Sequence, residues 1–488
     1  MSRSVLPESA TKSQDQMKII GNDLLAEIAS LEDDLTREYS GRLVVNQDLD
    51  RTLVSFQANK RESGSRWCKY KEAFSAALIR YIFQKVGPIH GRILDPFAGS
   101  GTALFGASEA GIDAVGIELL PCSAEIIRVR SAVESTNKEK LASVIREHIK
   151  ARSWEGKGIS KKFNHLRITA GAFPDETEYF LGRYLYDTES IDDEDVRRLL
   201  QFAALCVLES VSYTRKDGQY LRWDSRSGRR SGGRPFDKGP IFSFTQAIEG
   251  KLLEIINDLY GVSTLFDGLL DDRKRGKIDV LEGSCLDVLP LMEPDQFDGL
   301  ITSPPYCNRY DYTRTYALEL AMMGIGEEEL KSLRQTMLSC TVENREKVDL
   351  ERKFGNEVYE KGSKAFESQT LLQRILCYLE WCKADKSLNN IGIPRMVRNY
   401  FHEMALVIFE CARVLKPCSP FVMVNDNVRY QGVHIPVDLV MSEFAAAAGF
   451  EVEAIWVLPK GKGNSSQQMG EHGRQEVRKC VYVWRLKA

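Results

Sequence analysis

The stretch Thr-Ser-Pro-Pro-Tyr at residues 302–306 combines groups that can hold a planar ring bearing an amino group. Its two prolines fix the backbone and remove two amide donors, which leaves carbonyl oxygens free to accept hydrogen bonds. The Ser303 hydroxyl and the Pro304 carbonyl could accept the hydrogen bonds of an exocyclic amino group, and Tyr306 offers a flat face for stacking. The structural alternative is a rigid turn, fixed by Pro304 and Pro305, with Tyr306 in a hydrophobic core.

A second stretch, Asp-Pro-Phe-Ala-Gly-Ser-Gly-Thr at residues 95–102, lies between a predicted strand and a predicted helix. Backbone amides at such a turn, together with the helix dipole, favour an anionic group. Glu118 lies 17 positions beyond Gly101 at the end of the next predicted strand, where a carboxylate can accept hydrogen bonds from ribose hydroxyls. These features predict an adenosine-containing cofactor. A turn that needs Gly99 and Gly101 only for steric reasons is the alternative.

The elements around these two stretches predict an α/β fold. A strand ending at Asp95, a helix over about 103–110 and a strand over 114–118 form a βαβ unit and hence a parallel sheet. Further apolar runs at 277–281, 297–301 and 420–424 continue the strand pattern. The runs 450–457 and 479–484 suit an antiparallel pair that closes one edge.

Long interruptions divide this pattern into segments. The length of 488 residues favours a catalytic domain with large insertions over a single ordinary core. We predict an N-terminal helical extension at 1–40 and catalytic-domain parts at 41–150, 276–323 and 396–488. One insertion, at 151–275, is a candidate target-recognition region, and another, at 324–395, is predicted to be mostly helical.

Composition narrows the functional class. Apolar residues make up 43% of the chain and charged residues 28%, and no run approaches the length of a membrane span, so we expect a cytoplasmic protein without membrane contact. The eleven scattered cysteines predict reduced, mostly buried thiols. The six histidines have no ligand spacing, so we expect no metal.

The residue 95–102 loop closely resembles the first motif of S-adenosylmethionine-dependent methyltransferases that act on amino groups in nucleic acid. Together with Ser-Pro-Pro-Tyr it is similar to the N4-cytosine and N6-adenine DNA methyltransferases. The resemblance implies a Rossmann-like class I methyltransferase fold with a seven-stranded, mostly parallel sheet, an antiparallel terminal strand and two large insertions. It also implies S-adenosyl-L-methionine as the cofactor, double-stranded DNA as the substrate, and partner restriction or defence proteins.

The resemblance assigns roles to particular residues. Gly283 to Asp287 resembles the segment that borders the cofactor adenine, and Arg66 to Ser75 resembles the motif that precedes the cofactor loop. For Phe74 and Ser75, a helix cap with a core aromatic is the alternative. The implied catalytic residues are Ser303, Pro304, Pro305 and Tyr306. The implied cofactor-binding residues are Phe74, Ser75, Asp95, Phe97, Gly99, Gly101, Thr102, Glu118 and Asp287.

These motifs only partly distinguish cytosine from adenine as the target base and DNA from RNA as the substrate. Ser-Pro-Pro-Tyr resembles mostly the N4-cytosine enzymes, whereas Asp-Pro-Pro-Tyr and Asn-Pro-Pro-Tyr are typical of the N6-adenine ones, so cytosine is favoured. An RNA guanine-N2 methyltransferase is an alternative that keeps the chemistry. A non-catalytic nucleic-acid-binding subunit is another, although the intact loops weigh against it.

A cluster of cationic residues between Ser212 and Pro240 predicts contact with DNA. The segment has eight Lys or Arg against three Asp, interleaved with aromatic residues, in a chain whose formal net charge is −3. A solvated charged loop is the alternative for this segment. Arginines in the tract 307–316, after the catalytic stretch, suit phosphate contact at a flipped nucleotide, and a helix start with ordinary tyrosines is the alternative there. The candidate DNA-binding residues are Arg215, Lys216, Arg222, Arg229, Arg230, Arg309 and Arg314.

Overall fold

The structure is a computed structural model that describes residues 8–70, 73–217, 220–229, 235–260, 275–459 and 477–488. Contacts divide the chain into two units. The first unit comprises Met1–Asp50, Leu286–Arg309 and Leu338–Ala488, and the second comprises Arg51–Cys285 and Tyr310–Met337. Each unit contains strands and helices, so each has α/β character by itself.

The first unit contains five main-sheet strands: β1 (Leu43–Val45), β7 (Gly299–Thr302), β8 (Pro420–Asp426), β11 (Phe450–Val457) and β12 (Lys479–Leu486). They lie in the order β1, β11, β12, β8, β7. β12 is antiparallel to both of its neighbours, whereas β1 with β11 and β7 with β8 are parallel. Nearly every residue of β8 is buried, as expected for a strand covered on both faces.

Helices and a small hairpin complete the first unit. α15 is buried around most of its circumference, which identifies it as a core helix rather than a surface one. Its preceding Gly392 and its Pro394 mark the start, where proline costs no helical hydrogen bond. The elements are α1 (Glu8–Glu38), α13 (Leu350–Ser368), α14 (Thr370–Ala384), α15 (Ile393–Val414), α16 (Val437–Ala447), β9 (Val428–Tyr430) and β10 (Val433–Ile435).

The second unit contains three parallel strands in the order β2 (Arg92–Asp95), β3 (Asp113–Glu118) and β6 (Ile278–Glu282). Helix α3 (Thr102–Glu109) connects the first two and makes a βαβ unit. Ile93, Leu104 and Ile127 are completely buried in one hydrophobic cluster behind this unit. The turn between β2 and α3 is therefore held by packing on both of its sides.

The remaining elements of the second unit are mostly helical. An antiparallel hairpin, β4 with β5, interrupts them and carries part of the cationic cluster. Its register places directly opposite residues on the same face. The elements are α2 (Ala76–Val86), α4 (Pro121–Ser135), α5 (Lys138–Ala151), α6 (Asp175–Glu189), α7 (Glu194–Val211), β4 (Thr214–Asp217), β5 (Tyr220–Trp223), α8 (Phe244–Tyr260), α10 (Tyr312–Thr315), α11 (Ala317–Met322) and α12 (Glu327–Thr336), with the short α9 (Cys285–Val288) beginning at the unit's border.

The predicted fold class is confirmed, with one correction. Among the main-sheet strands the pairs are mostly parallel, the βαβ unit is present, and β11 and β12 form the predicted antiparallel pair. In the part of the chain that the structure describes, the main-sheet strands number eight rather than seven. The added strand is β1, a three-residue segment that pairs in parallel with β11 and is too short to leave a period in the sequence. The predicted domain boundaries remain predictions.

The cysteines follow the sequence expectation. All eleven are free thiols, and most of them are buried. Among the described residues, no helix is both long enough and apolar enough to cross a membrane. In the same part of the chain, no group of three or more His, Cys, Asp or Glu side chains is arranged to hold a metal ion.

Candidate active site

The cofactor loop, residues 95–102, lies in the second unit between β2 and α3 and needs glycine at two positions. Gly99 has a φ of +54° and Gly101 a φ of +80°, in the left-handed region that other residues rarely adopt. A Cβ atom at Gly101 would lie 2.9 Å from Cγ1 of Ile127. A Cβ atom at Gly99 would lie 3.2 Å from Cε1 of Tyr70. Glycine is therefore required at both positions by the positive φ and by the tight packing of the loop against its own chain.

Glu118, the last residue of β3, is bound to this loop. Its Oε2 accepts a hydrogen bond from the Gly99 amide at 2.7 Å, and its Oε1 accepts one from the Leu120 amide at 2.8 Å. Burial raises the pKa of Glu118 to about 8, against the opposing effect of the two amide donors. The carboxyl is thus poised between its neutral and ionised forms near neutral pH.

The other predicted residues of the loop are also in place. Oδ1 of Asp95 accepts a hydrogen bond from the Phe97 amide at 3.0 Å, which fixes the first turn of the loop. Asp95 is buried, whereas Phe97 is half-buried. Thr102 is the first residue of α3 and is also buried. The structure therefore brings Asp95, Phe97, Gly99, Gly101, Thr102 and Glu118 together.

Phe74 and Ser75 have structural partners at the start of α2. The Ser75 hydroxyl donates to the Leu53 carbonyl at 2.6 Å and accepts from the Leu78 amide at 3.2 Å, so it caps the helix. Phe74 is buried. The helix-cap alternative describes these contacts, and a role in cofactor binding remains a prediction.

Asp287 belongs to the first unit, apart in this division from the other predicted cofactor residues. Its Oδ1 lies 2.8 Å from Nζ of Lys353, in an ion pair whose side chains are partly exposed. Lys353 also pairs with Asp349. A contact from Asp287 to an adenine amino group would therefore share this carboxylate with Lys353, and it remains a prediction.

The catalytic loop, residues 303–306, lies in the first unit directly after β7. Ser303 and Tyr306 bring their hydroxyl oxygens to 3.3 Å, and the Asn308 amide donates to the Tyr306 carbonyl at 2.7 Å. Pro304 is buried, and Pro305 is half-buried. Burial raises the pKa of Tyr306, and the charge of Asp426 raises it further, so the phenol stays neutral.

Two residues that support this loop escaped the sequence reasoning. Tyr430, on β9, donates its hydroxyl to the carbonyl of the fully buried Cys307 at 2.7 Å. Asp426 ends β8, and its charge reaches Tyr306. The only sequence signal was the polar run at 425–427 directly after an apolar strand.

The hairpin β4–β5 shows that its cationic residues are not equivalent. Arg215 is exposed and lies directly opposite Arg222, which pairs with Asp217 at 3.2 Å. Lys216 points the other way, with only 3% of its side chain exposed, and forms an ion pair with Glu319. The prediction that Lys216 contacts DNA is therefore corrected, because its ammonium group is buried inside the second unit.

The remaining candidate DNA-binding arginines have partners within the chain. The exposed Arg229 lies 3.7 Å over the Trp223 ring and donates to the backbone carbonyls of Arg167 and Ala170. Arg314 pairs with Asp311 at 3.2 Å. Arg309, which has a φ of +65°, bonds to Asn389 at 3.3 Å. Arg230 lies outside the described residues.

Comparisons with known proteins identify the family. No family model matches the chain, and no solved structure matches it. It is 50% identical over 469 residues, 95% of both chains, to the type II methyltransferase M.AvaI of Nostoc sp. (strain PCC 7120), and equally to that of Anabaena variabilis. It is 37% identical to the type II methyltransferase M.BsoBI of Geobacillus stearothermophilus, over 92% of this chain and 91% of the other. The chain belongs to the family of type II DNA methyltransferases.

Proposed function

We propose that this DNA methyltransferase uses S-adenosyl-L-methionine to methylate the N4 amino group of a cytosine that has been flipped out of duplex DNA. The observation that carries the proposal is the catalytic loop, where Ser303, two prolines and a neutral Tyr306 follow a buried strand. A flipped base can stack on the Tyr306 ring.

The cofactor loop fits the proposed cofactor. The positive φ angles of Gly99 and Gly101 form the turn that leads into α3, and the start of a helix favours an anionic group. Each oxygen of Glu118 accepts one amide hydrogen bond, and a carboxylate oxygen has two acceptor sites, so capacity remains for ribose hydroxyls. Asp95, Phe97 and Thr102 would line the methionine side.

The residues of the catalytic loop would act by orienting the amino group. S-adenosylmethionine supplies an electrophilic methyl group on its sulfonium sulfur. An exocyclic amino nitrogen is a weak nucleophile because its lone pair is delocalised into the ring. The Ser303 hydroxyl and the Pro304 carbonyl would accept its N–H hydrogen bonds, which aligns the nitrogen and stabilises the positive charge that develops on it.

The preference for cytosine over adenine rests on Ser303, since Ser-Pro-Pro-Tyr resembles mostly the N4-cytosine enzymes. Contact with the DNA backbone is proposed for the exposed face of the β4–β5 hairpin, at Arg215 and Arg222, and for Arg229, Arg309 and Arg314. A restriction nuclease or defence protein with the same target sequence is a further proposed partner.

The test is a mass analysis of nucleosides from DNA of cells that express the protein, compared with cells that express Tyr306→Ala. We expect N4-methylcytosine only with the parent protein. N6-methyladenine without N4-methylcytosine would overturn the choice of base and leave the family assignment intact. RNA from the same cells is analysed in parallel. N2-methylguanine in that RNA without methylated DNA would favour the guanine-N2 alternative, and no methylated nucleoside that depends on the protein would favour a non-catalytic subunit.

A further inference from the structure

A buried ion pair lies within the second unit, outside the cofactor loop. Nζ of Lys216 is 2.5 Å from Oε1 of Glu319, and only 3% and 4% of the two side chains are exposed. Burial alone would lower the pKa of Lys216, but the nearby Glu319 carboxylate raises it overall, so the lysine stays protonated. A buried pair is weak evidence for stability, because well-packed apolar residues often serve as well. The location of the Lys216–Glu319 pair is therefore more informative about function than its contribution to stability.

The pair is joined to an aromatic stack. Nζ of Lys216 lies 4.2 Å from the ring centroid of Tyr316, within range of a cation–π interaction. Tyr316 and Glu319 are one helical turn apart at the start of α11, so one lysine contacts both. The Tyr316 ring stacks on Tyr70, with centroids 5.0 Å apart and planes inclined by 16°.

The stack ends at the cofactor loop. Cε1 of Tyr70 lies 3.2 Å from the position of a Cβ atom on Gly99, so the Tyr70 ring lies directly against the turn whose amide donates to Glu118. Tyr70, Tyr316 and Lys216 come from three separate segments. Together they make a continuous series of contacts from the hairpin to the backbone of the cofactor loop.

The hairpin strand that carries Lys216 also carries a candidate DNA contact. Arg215 and Arg222 lie opposite each other on the exposed face, whereas Lys216 lies opposite the buried Leu221. Strand β4 thus carries two adjacent cations, of which Arg215 faces solvent and Lys216 faces the interior of the second unit.

Building on the proposed function, we propose that Lys216 is a positioning residue: paired with Glu319, it holds the Tyr316–Tyr70 stack against Gly99 and so sets the affinity of the cofactor loop for S-adenosylmethionine. The second oxygen of Glu319 is buried without a hydrogen-bond partner. Removing the lysine alone therefore leaves an uncompensated carboxylate under the stack, and removing both charges leaves the stack without its cation.

The test measures binding of S-adenosylmethionine and its demethylated product, S-adenosylhomocysteine, to the full-length protein by calorimetry. We expect Lys216→Met to weaken both ligands about tenfold, in line with the loss of a desolvated cation–π contact. The double variant Lys216→Met/Glu319→Met removes the buried charge imbalance. It should recover the thermal stability of the parent and still bind the cofactor about tenfold more weakly.

The matched control is Lys347→Met. Lys347 forms an ion pair with Glu403 in the first unit, with 8% and 1% of the two side chains exposed. This variant should lose stability as Lys216→Met does and keep the parental cofactor affinity. If the double variant bound the cofactor as tightly as the parent, Lys216 would be merely structural and the inference would be overturned. A parent protein that bound neither ligand would instead overturn the proposed function.

Discussion

The cofactor loop and the catalytic loop differ in which part of the chain would contact the ligand: the backbone in the first and the side chains in the second. In the cofactor loop the defining geometry is that of the backbone: two glycines have positive φ, and the Gly99 amide donates a hydrogen bond of 2.7 Å to Glu118. In the catalytic loop the chemistry lies in side chains, and Ser303 meets Tyr306 only at 3.3 Å, longer than an ordinary hydroxyl hydrogen bond. The catalytic side chains are therefore available to exchange partners.

Because of this difference, substitutions in the two loops should change different kinetic quantities. A change in the cofactor loop should act on binding, and a change in the catalytic loop should act on the rate at saturating cofactor.

The largest effect is expected for Tyr306→Ala. Loss of the stacking face misplaces the base, so single-turnover methyl transfer should fall at least about a hundredfold. Cofactor affinity, measured by calorimetry, should stay within about twofold of the parent because the change lies outside the cofactor loop. Tyr306→Phe keeps the ring and should lose less than about fivefold in rate. If Tyr306→Ala methylated DNA at the parental rate, the assignment of residues 303–306 as the catalytic loop would be wrong.

A smaller effect, on cofactor affinity and not on the rate of methyl transfer, is expected for Gly99→Ala. The added methyl group meets Tyr70 and the positive φ disfavours alanine, so the Kd of the cofactor should rise about tenfold. Gly87→Ala is the matched control, since Gly87 also has a positive φ but no neighbour within 4 Å of a Cβ atom. Equal cofactor affinity in the two variants would contradict the assignment of the loop.

The pH dependence sharpens the role of Glu118. With a pKa of about 8 in the folded protein, Glu118 becomes mostly ionised only above that pH, and the carboxylate is the better acceptor for ribose hydroxyls. Cofactor affinity should therefore rise severalfold between about pH 6.5 and about pH 9.

The free energy of unfolding should fall as pH rises, whereas cofactor affinity increases. Between the ordinary value of 4.5 and about 8, the folded protein binds a proton that the unfolded chain has released. The contribution of Glu118 is therefore present at low pH and is lost as pH rises through this window. Glu118→Gln should flatten both profiles, which calorimetry and urea unfolding can follow. A pH-independent affinity in the parent would argue against Glu118 as the ribose ligand.

The smallest effects are expected at the exposed face of the hairpin. Arg215→Ala should weaken binding of duplex DNA by a few-fold and reduce the slope of log affinity against log salt by about 1. Cofactor affinity should not change. Arg37→Ala is a suitable control, because Arg37 is a highly exposed arginine on α1 of the first unit. An identical salt dependence in the two variants would place DNA elsewhere.

The elements that hold the two loops could be predicted from local sequence. The helix expected over 103–110 is Thr102–Glu109, and the strand expected over 114–118 is Asp113–Glu118. Each is a short, largely apolar run, and Gly111 separates the two, so the signals depend only on neighbouring residues. The catalytic loop likewise follows β7 as expected.

The supporting contacts could not be predicted, because they join residues far apart in the chain. Arg215 and Lys216 are adjacent cations, and the sequence contains no difference between them. Their separation depends on the strand register and on Glu319, which lies 103 residues further along. Tyr430 reaches the catalytic loop across a similar distance, 123 residues. Periodicity gives the face of an element but does not identify its partner.

The alternation of the β4 strand has a consequence for divergence among related enzymes. Exposed residues on one face can be exchanged at little cost in stability, whereas the buried lysine on the other face cannot. The length of the strand is fixed at the same time, since inserting or deleting one residue would turn every later side chain to the opposite face. A change in the charge that this face presents to solvent is thus accessible by substitution at positions such as Arg215, but not by a change in strand length.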